Sequence, residues 1–449
     1  MSVQLIETYK RRLAVSEAVY KKSHDSAMSV VQKANLAQVM KNTSTWLREN
    51  FGSNSVGTQR ADMGTFKKFT LDITTVALPS LIANDLVIVK AMPNITGYIQ
   101  YVKFVAGSNK GGIEQGTLFN SPFALGAMTP EREAYTSAAV VDVLPGVTDG
   151  GEYILAWTPL APKFTPTIVG GESGAYIEVI DAAAGRIKVH GATGDIRVKY
   201  LYNNVVIPQD DIPHLNMIVD GISLEAKPRR LAIYYAQMAA FQAKTEMGLD
   251  LGDVLSTQAV SELQYEIDTE VVNLLVNSAP TDVTFTFDKK VPVGVSISQH
   301  YESFTKTLIA ASNAIYKRTG KYTANYVLAA PDLLEVFGLL KDWEPSGRKP
   351  VGPYLAGTAN GLKVFISPAI PEGKFVVGFN GDDLATSAAV YAPYMAIVPT
   401  QPIQFPDGGT TVGFSTLYDL KLLNQCLLVA GNVVDTTAKA DTVTAVVNG

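Results

Sequence analysis

The chain is poor in the residues from which reactive sites are most often built. One cysteine, Cys426, among 449 residues excludes an intramolecular disulfide and a cysteine metal cluster. The four histidines, His24, His190, His214 and His300, lie far apart in the sequence, and none has a serine or cysteine nucleophile motif beside it. The nucleophile-elbow sequence Gly-x-Ser-x-Gly does not occur. Cys426 precedes two leucines, so we expect it to be a buried, small apolar residue.

Charge and long apolar runs are scarce too. Charged residues make up 18% of the chain, hydrophobic residues make up 47%, and the net charge is -5. This balance favours a large core and argues against a strongly basic nucleic-acid-binding surface. No uncharged apolar run reaches the ~18 residues of a membrane helix, and the Met-Ser-Val-Gln start lacks an apolar signal core. We therefore expect a soluble protein made in a reducing cytoplasm.

Amphipathic patterns predict three long helices in the middle of the chain. The first spans Lys227–Met247, and the second runs from about residue 250 to Ala279. Both place apolar residues three and four positions apart, as one face of an α-helix requires. The third has Ser298 as its candidate N-cap and Gly320 just beyond its last turn. These faces carry no catalytic residues, which favours a protein that builds a structure over an enzyme.

Residues 106–204 have a different character. Glycine, proline and threonine separate short strand patterns at intervals of ~8–12 residues, which is typical of a small all-β module. The helical signal stops before this block and returns after it, so we interpret the block as an insertion within a surrounding domain. The clearest strand patterns in the block are Ala175–Ile180, Arg186–His190 and Asp195–Tyr202, and a further strand is predicted just before it at Gly97–Val105.

Shorter elements follow the second predicted helix. Pro331 opens a short helix that ends near Leu340, and Asp342–Gly361, with three prolines and four glycines, is predicted to be an exposed loop. Strands are predicted at Val283–Phe287, Asn325–Ala329, Leu362–Ile366, Lys374–Phe379, Ala388–Val398, Thr411–Thr416 and Asp419–Val434.

The two ends of the chain differ from its middle. Residues 1–50 have a helical composition with an irregular apolar pattern, which favours an arm or partner helix over a core domain. Residues 51–64 have the composition of a flexible linker. The tail beyond Thr436 is rich in threonine and alanine.

Five groups of segments carry a family resemblance, and they occur along the chain in the family's order: Ala77–Leu86 with Ala91–Pro93, Gly221–Leu231, Met247–Leu251 with Leu255–Thr257 and Glu266–Val272, Asn313–Gly320 with Ala324–Ala330, and Ala389–Ala396 with Val412–Tyr418. Together they resemble the major capsid proteins of T-even-type tailed bacteriophages over much of residues 65–425. Each match is short, and the specificity of the resemblance comes from the shared order.

The resemblance implies the HK97-type capsid fold, an α+β fold with a long spine helix, peripheral and axial domains, and an inserted β-rich module. The spine helix would be Lys227–Met247. The implied divisions are an N-terminal arm and linker at 1–64, a first segment of the peripheral domain at 65–105, the extended loop plus β-rich insertion at 106–204, a second segment of the peripheral domain at 205–280, the axial domain at 281–385, and closing strands with a C-terminal tail at 386–449.

Members of this family often lose an N-terminal propeptide to a protease that cuts after a Leu/Ile-x-Glu sequence. Leu47-Arg48-Glu49 fits that pattern just before the linker, and the chain retains the segment that starts at Met1. We expect an uncleaved arm.

Three patterns suggest ligand sites at first, and each is better explained as a surface turn. Gly107–Gly112 is glycine-rich, but its lysine precedes the glycine pair and no helix follows, unlike a phosphate loop. Asp210, Asp211 and His214 have side chains that bind divalent ions, but flanking prolines place them in a loop. The sequence from Asn380 lacks the remaining ligands of a calcium loop. We therefore predict no catalytic, cofactor-binding or metal-binding residues.

The glutamates Glu262, Glu266 and Glu270 lie along one side of the second predicted helix. They form either a solvated face or a contact with basic residues of a neighbouring subunit, and each exposed ion pair would contribute only ~0–1 kcal/mol. Candidate partners are Arg229-Arg230 and Lys317-Arg318. The segments that we expect at subunit interfaces are Lys227–Met247, Gly107–Gly126 and Asp342–Gly361.

The resemblance implies a major capsid protein that forms hexameric capsomers, with pentameric capsomers left open, in an icosahedral or elongated head around double-stranded DNA. The implied partners are further copies of the chain, portal, scaffold and decoration proteins, and packaged DNA contacted without sequence specificity. The virion would be assembled in the host cytoplasm. The alternatives are a vertex-only capsid protein, an encapsulin-like compartment of the same fold, and an enzyme with an inserted β-domain.

Overall fold

The computed structural model describes residues 2–24, 26–51, 70–109, 113–116, 118–119, 139–162, 164–169, 174–203, 213–248, 251–281, 284–347, 352–400, 403–406 and 408–436. Helices and strands both contribute large shares of these residues. Within these ranges no helix is long and apolar enough to cross a membrane.

The helices are α1 (Ser2–Thr8), α2 (Lys10–His24), α3 (Val30–Phe51), α4 (Ala83–Leu86), α5 (Gln237–Gln242, continued by a π-helical turn at Ala243–Met247), α6 (Leu251–Ser278), α7 (Ile297–Glu302), α8 (Phe304–Thr319) and α9 (Leu334–Gly338). The strands are β1 (Ile88–Val89), β2 (Thr96–Ala106), β3 (Leu118–Phe119), β4 (Ala139–Val147), β5 (Glu152–Ile154), β6 (Thr167–Val169), β7 (Tyr176–Asp181), β8 (Arg186–His190), β9 (Gly194–Leu201), β10 (Leu215–Glu225), β11 (Lys227–Ala236), β12 (Phe285–Asp288), β13 (Tyr326–Ala329), β14 (Trp343–Pro345), β15 (Tyr354–Ala359), β16 (Leu362–Ile366), β17 (Lys374–Gly378), β18 (Ala389–Pro399), β19 (Ile403–Gln404), β20 (Gly409–Leu422) and β21 (Leu428–Val434).

The chain divides into two compact units. The larger unit is formed by Met1–Ile99, Gly221–Tyr316 and Tyr322–Gly449, and the smaller unit by Gln100–Asp220 with Lys317–Lys321. The predicted β-rich insertion at 106–204 lies inside the long segment of the smaller unit. The other predicted domain boundaries stay predictions.

One sheet of the larger unit has the strand order β1-β18-β20-β11, with β19 paired to β20. The long helix α6 packs on this sheet, where Ala259 and Leu263 of the helix belong to one buried cluster with Phe414 of β20. The N-terminal helices also pack on it, because Leu47 of α3 is buried with Met395 of β18. The N-terminal segment is therefore packed on the core of the larger unit in this structure.

A second, seven-stranded sheet of the larger unit has the order β12-β21-β17-β13-β16-β15-β14. Strand β21 lies between β12, which is parallel to it, and β17, which is antiparallel. Phe304 of α8 packs edge-on against Phe337 and Phe375, with ring centroids 5.5 and 5.4 Å away. Such aromatic pairs add to the free energy gained from burying the rings themselves.

The smaller unit contains two three-stranded sheets, β4-β9-β6 and β5-β8-β7, around one apolar cluster. The Tyr200 hydroxyl in this cluster donates a hydrogen bond to Asp142 at 2.5 Å and accepts one from the backbone N–H of Trp157 at 3.0 Å. Burial raises the pKa of Tyr200, and the Asp142 carboxylate raises it further. The hydroxyl is thus held as a neutral donor, which satisfies a polar group inside the core.

The predicted helix at Lys227–Met247 is wrong for its first ten residues. They form β11, which pairs with β20 without a break from Lys227 opposite Tyr418 to Ala236 opposite Gly409. Leu231 and its neighbours are alternately half-buried and exposed, with the period of two of a strand. Apolar residues at 231, 234, 235 and 238 fit the period of a helix, whereas those at 231, 233 and 235 fit the period of a strand, and the strand pairing decided between them. The long helix of the fold is α6 instead.

The predicted exposed loop at Asp342–Gly361 is also wrong, because it contains β14 and β15. Leu355 and Ala359 of β15 are buried, and β15 pairs with the buried strand β16. Prolines and glycines in this stretch mark strand ends and the irregular register of β15. Residues 348–351 lie outside the described part of the chain.

Most other predicted elements are confirmed with shifted ends. The second predicted helix is α6. The third is divided at Ser303 into α7 and α8, and its N-cap is Ser296, whose hydroxyl accepts from the Gln299 N–H, and not Ser298. Gly320 has the predicted left-handed backbone, with φ of 68°. The separate strands predicted at Thr411–Thr416 and from Asp419 are one strand, β20.

Candidate assembly surfaces

Helix α5 and the π-helical turn after it have no buried residue in the chain. Met238, Phe241 and Met247 are 74%, 67% and 70% exposed. Met238 and Phe241 are three residues apart, so they share one face of the helix. We call residues 237–247 the exposed helix. An amphipathic helix whose apolar side chains face water is incomplete as a monomer, because such side chains gain free energy when they are covered.

The segment Leu47-Arg48-Glu49 lies inside α3. Leu47 is 3% exposed, whereas Arg48 and Glu49 are exposed. Asn42, five residues earlier, donates from Nδ2 to the carbonyl oxygens of Met92 and Tyr394, at 2.7 and 2.9 Å. Both ties hold the helix around the predicted cleavage sequence on the core, in a conformation that does not present an extended strand.

Arg229 of β11 is paired within its own chain. Its Nε donates to Oε1 of Glu270 at 2.9 Å and its Nη2 donates to Oε2 at 3.1 Å. The Tyr418 hydroxyl donates to the same Oε2 at 2.8 Å, and Glu266 lies 3.7 Å from the Arg229 Nε. Arg229 and Glu270 are each about one-third exposed. Arg229 is therefore paired with Glu270, and lies near Glu266, within its own chain, and a contact of this acidic helix side with a neighbouring subunit stays a prediction.

Asp268 of α6 is buried, with 7% exposure, and it joins the helix to the short helix α4. Its Oδ1 accepts the Ala83 N–H at 3.2 Å. Burial raises the pKa of Asp268 to about 7, although hydrogen bonds from the Ala83 and Ile82 N–H groups act in the opposite direction. The folded chain therefore favours the protonated acid more than an exposed aspartate would.

Two of the patterns that we set aside as turns, Gly107–Gly112 and the group of Asp210, Asp211 and His214, are only partly described. Gly107 donates its N–H to the His214 carbonyl at 2.8 Å, and Asn109 accepts the Gln115 N–H at 2.6 Å. Residues 110–112, 120–126, Asp210 and Asp211 lie outside the described part of the chain. Most of the predicted interface segment Gly107–Gly126 therefore lies outside the described residues. In the described ranges no group of three or more His, Cys, Asp or Glu residues could hold a metal ion.

The sequence matches a known family over most of its length. The family described as "Major capsid protein Gp23" covers residues 63–445. The chain belongs to the Gp23 major capsid protein family. The predicted family and function, a major capsid protein of a T4-like tailed phage, are confirmed, and the family is a structural one. The HK97-type α+β fold that the resemblance implied is confirmed with it.

Two curated relatives of this Gp23 family member have nearly the same low sequence identity to it. The major capsid protein of Vibrio phage KVP40 is 22% identical over 391 residues, which cover 77% of this chain and 74% of that protein. The major capsid protein of Enterobacteria phage T4 is 23% identical over 393 residues, 77% of this chain and 73% of its own. Residues 1–62 lie outside the family match.

The solved structures to which the chain is similar are more distant in sequence still. A structure from Mycobacterium phage Bobi is 11% identical, covers 63% of this chain and 89% of its own, and has a TM-score of 0.37. The capsid of Myoviridae Phage XM1 is 8% identical, and the match covers 70% of this chain and 90% of that one, with a TM-score of 0.33.

Two polar groups that sequence reasoning did not single out turn out to hold elements together. From the sequence, Asp268 received no role, and His24 was considered only as one of four histidines that lie far apart. Their burial follows from packing between segments that are far apart in the chain. Position within the helix was the only available signal, because Asp268 falls next to the apolar stripe that contains Ile267 and Val271.

Proposed function

We propose that the chain assembles with copies of itself into hexameric capsomers of a phage head that encloses double-stranded DNA. Pentameric capsomers of the same chain would close the vertices. Further partners would be portal, scaffold and decoration proteins, and assembly would take place in the host cytoplasm. Family membership over residues 63–445 supports the capsid role.

The exposed helix is the observation that carries the assembly proposal. It follows strand β11, which is at the edge of its sheet and pairs with β20 alone among the described strands. An open edge and an uncovered apolar helix in continuous sequence are features that soluble monomers normally avoid. Coverage by a second copy of the chain would bury Met238 and Phe241, and that area would add to the large apolar interfaces typical of obligate assemblies.

A matched pair of variants tests the assembly role. Phe241→Asp should prevent or delay the formation of shells, sheets or hexamers, because a carboxylate would have to be buried in the contact. Val293→Asp is the control, since Val293 is fully exposed and lies outside the exposed helix. Negative-stain electron microscopy and sedimentation of the full chain, expressed alone and with head genes, provide the readout. Equal assembly by both variants would rule out a role for this helix.

Copy number separates the major role from a vertex-only role. Quantitative mass spectrometry of purified native particles should find this chain as the most abundant head protein. A count that matches only the vertices would replace the proposal with the vertex-only alternative. Absence from the particles would end the capsid interpretation.

A further inference from the structure

His24 ends helix α2 and is 3% exposed. Its Nδ1 lies 3.2 Å from the carbonyl oxygen of Tyr20, one turn earlier in the same helix. Its Nε2 lies 3.1 Å from the carbonyl oxygen of Leu81, in the segment that leads into α4. Both ring nitrogens therefore face acceptors, and one of these acceptors belongs to a distant part of the larger unit.

The two contacts decide the protonation state that fits this site. A carbonyl oxygen accepts hydrogen bonds and cannot donate them, and a neutral imidazole has one N–H and one lone pair. In the neutral state one nitrogen would direct its lone pair at a carbonyl oxygen inside a buried site. Only the imidazolium ion donates to both oxygens, so the geometry favours the protonated ring.

The charges around the ring are consistent with a cation. Oδ2 of Asp85 lies 3.7 Å from Nε2 of His24, and Oδ1 of Asp85 accepts from Nζ of Lys363 at 2.9 Å. Asp85 is thus a buried carboxylate that lies between His24 of α2 and Lys363 of β16. The Tyr20 ring stacks on the imidazole, with centroids 4.1 Å apart, and its hydroxyl accepts from Gln32. Among the described residues, the carboxylate of Asp85 and the ring of Tyr20 therefore lie against His24, and Lys363 lies on the far side of Asp85.

We propose that His24 is a proton-dependent latch that fastens the end of α2 to the segment 81–85. With the proton present, the ring ties Tyr20 to Leu81 and is neutralised by Asp85. When the proton is lost, the contact with one carbonyl becomes repulsive and the end of α2 loosens. Other ties along α2 persist, including Arg12 to Asp72 at 2.6 Å, so the opening is confined to the junction of α2 and α3.

An unperturbed histidine loses its proton near pH ~6.5. The latch should therefore be closed at low pH and weaken as the pH rises above the range in which His24 is protonated. This inference concerns the position of the N-terminal helices within one chain, and it does not depend on the proposed assembly into capsomers.

Hydrogen exchange measured by mass spectrometry on the unassembled full chain tests the latch. His24→Gln retains one amide donor and cannot become a cation. At pH 5.5, backbone amides at the end of α2 should exchange about tenfold faster in this variant than in the unsubstituted chain, the factor that one charge-assisted hydrogen bond supplies. At pH 9 the ratio should approach one. His190→Gln is the control, because His190 also lies beside a carboxylate, Glu178 at 3.3 Å, but is only partly buried and belongs to β8 of the smaller unit. It should leave the ratio at one at every pH.

A ratio that stays constant from pH 5.5 to 9 would overturn the proposal, because a purely structural role does not depend on protonation. Should the glutamine variant not fold, nitrogen-15 spectra of the unsubstituted chain labelled at its four histidines give the answer. The buried ring must show two protonated nitrogens at pH 6. Spectra in which every histidine has a neutral ring at that pH would refute the latch.

Discussion

The carboxylate of Asp268 accepts the backbone N–H of Ala83 at 3.2 Å, across 185 positions of sequence. The contact places a buried acid at the start of the short helix α4, where N–H groups lack partners within the helix. Desolvation nevertheless dominates and raises the pKa of Asp268 to about 7. The folded state therefore binds a proton more tightly than the unfolded chain, in which an aspartate titrates near pH ~3.9.

The first prediction is that Asp268 makes the larger unit less stable as the pH rises. Between about pH 4 and pH 7 the folded state holds one proton more than the unfolded state, so the free energy of unfolding falls by up to about 1.4 kcal/mol per pH unit. Asp268→Asn cannot ionise and keeps an oxygen for the Ala83 N–H. The variant should gain stability relative to the unsubstituted chain over this range, as measured by urea unfolding followed by tryptophan fluorescence.

Glu262→Gln is the control for the first prediction. It makes the same kind of change on the same helix at an exposed position. Its unfolding curve should track that of the unsubstituted chain at each pH. A pH dependence that is unchanged in Asp268→Asn would show that Asp268 is ionised in the folded state throughout this range.

The second prediction concerns the intramolecular network of Glu270. Glu270→Gln should lower the free energy of unfolding by about 1–3 kcal/mol, because Arg229 loses a two-point ionic contact and the Tyr418 hydroxyl loses a charged acceptor. Glu266→Gln, whose carboxylate is 3.7 Å from Arg229 and more exposed, should cost less than about 1 kcal/mol. Similar losses in the two variants, measured on the unassembled chain, would contradict the assignment of the network to Glu270.

The third prediction is that α3 protects the bond after Glu49. Leu47→Ala removes buried methyl groups next to Met395 and should cost about 2–5 kcal/mol. A glutamate-specific protease should then cut at Glu49 faster than in the unsubstituted chain, since cleavage requires the helix to open locally. Arg48→Ala, at an exposed neighbouring position, should leave the cleavage rate near its original value. Rapid cleavage of the unsubstituted chain at Glu49 would argue against a docked α3.

The fourth prediction compares two glycines. A Cβ atom at Gly431 of β21 would overlap Cζ of the buried Phe375 ring, so Gly431→Ala should cost about 1–3 kcal/mol. A Cβ atom at Gly338 of α9 would meet nothing within 4 Å. Gly338→Ala should leave stability unchanged or raise it by up to about 1 kcal/mol, because alanine favours a helix. Thermal unfolding of both variants tests the comparison, and a neutral Gly431→Ala would show that Phe375 can move aside.

The sequence predicted elements well where one periodicity was unambiguous. Strand β16 at Leu362–Ile366 and strand β8 at Arg186–His190 were predicted with the bounds that the structure gives them. Helix α6 was predicted from its apolar stripe alone. The capsid family followed from short matches in a fixed order, and family membership agrees with that interpretation.

The wrong predictions fall where pairing with a strand distant in sequence, and not the local pattern of apolar residues, determines the secondary structure. Lys227–Ala236 has apolar residues that fit a helix, and Pro228 near its start suits a first helical turn. The same proline is tolerated in β11 because that strand lies at the edge of its sheet among the described strands. In β15, Gly357 and the nearby prolines suggested a loop, yet a Cβ atom at Gly357 would overlap the Glu344 carbonyl oxygen. That glycine permits strands β14 and β15 to approach, which no single segment reveals.

The position of β21 in its sheet determines when the larger unit can finish folding during synthesis. Among the strands of the seven-stranded sheet, β21 is the last to leave the ribosome, yet it fills the position between β12 and β17. Until residues 428–434 are synthesised, those two strands have no partner between them and the sheet is divided. A nascent chain that ends before residue 428 therefore cannot complete this core.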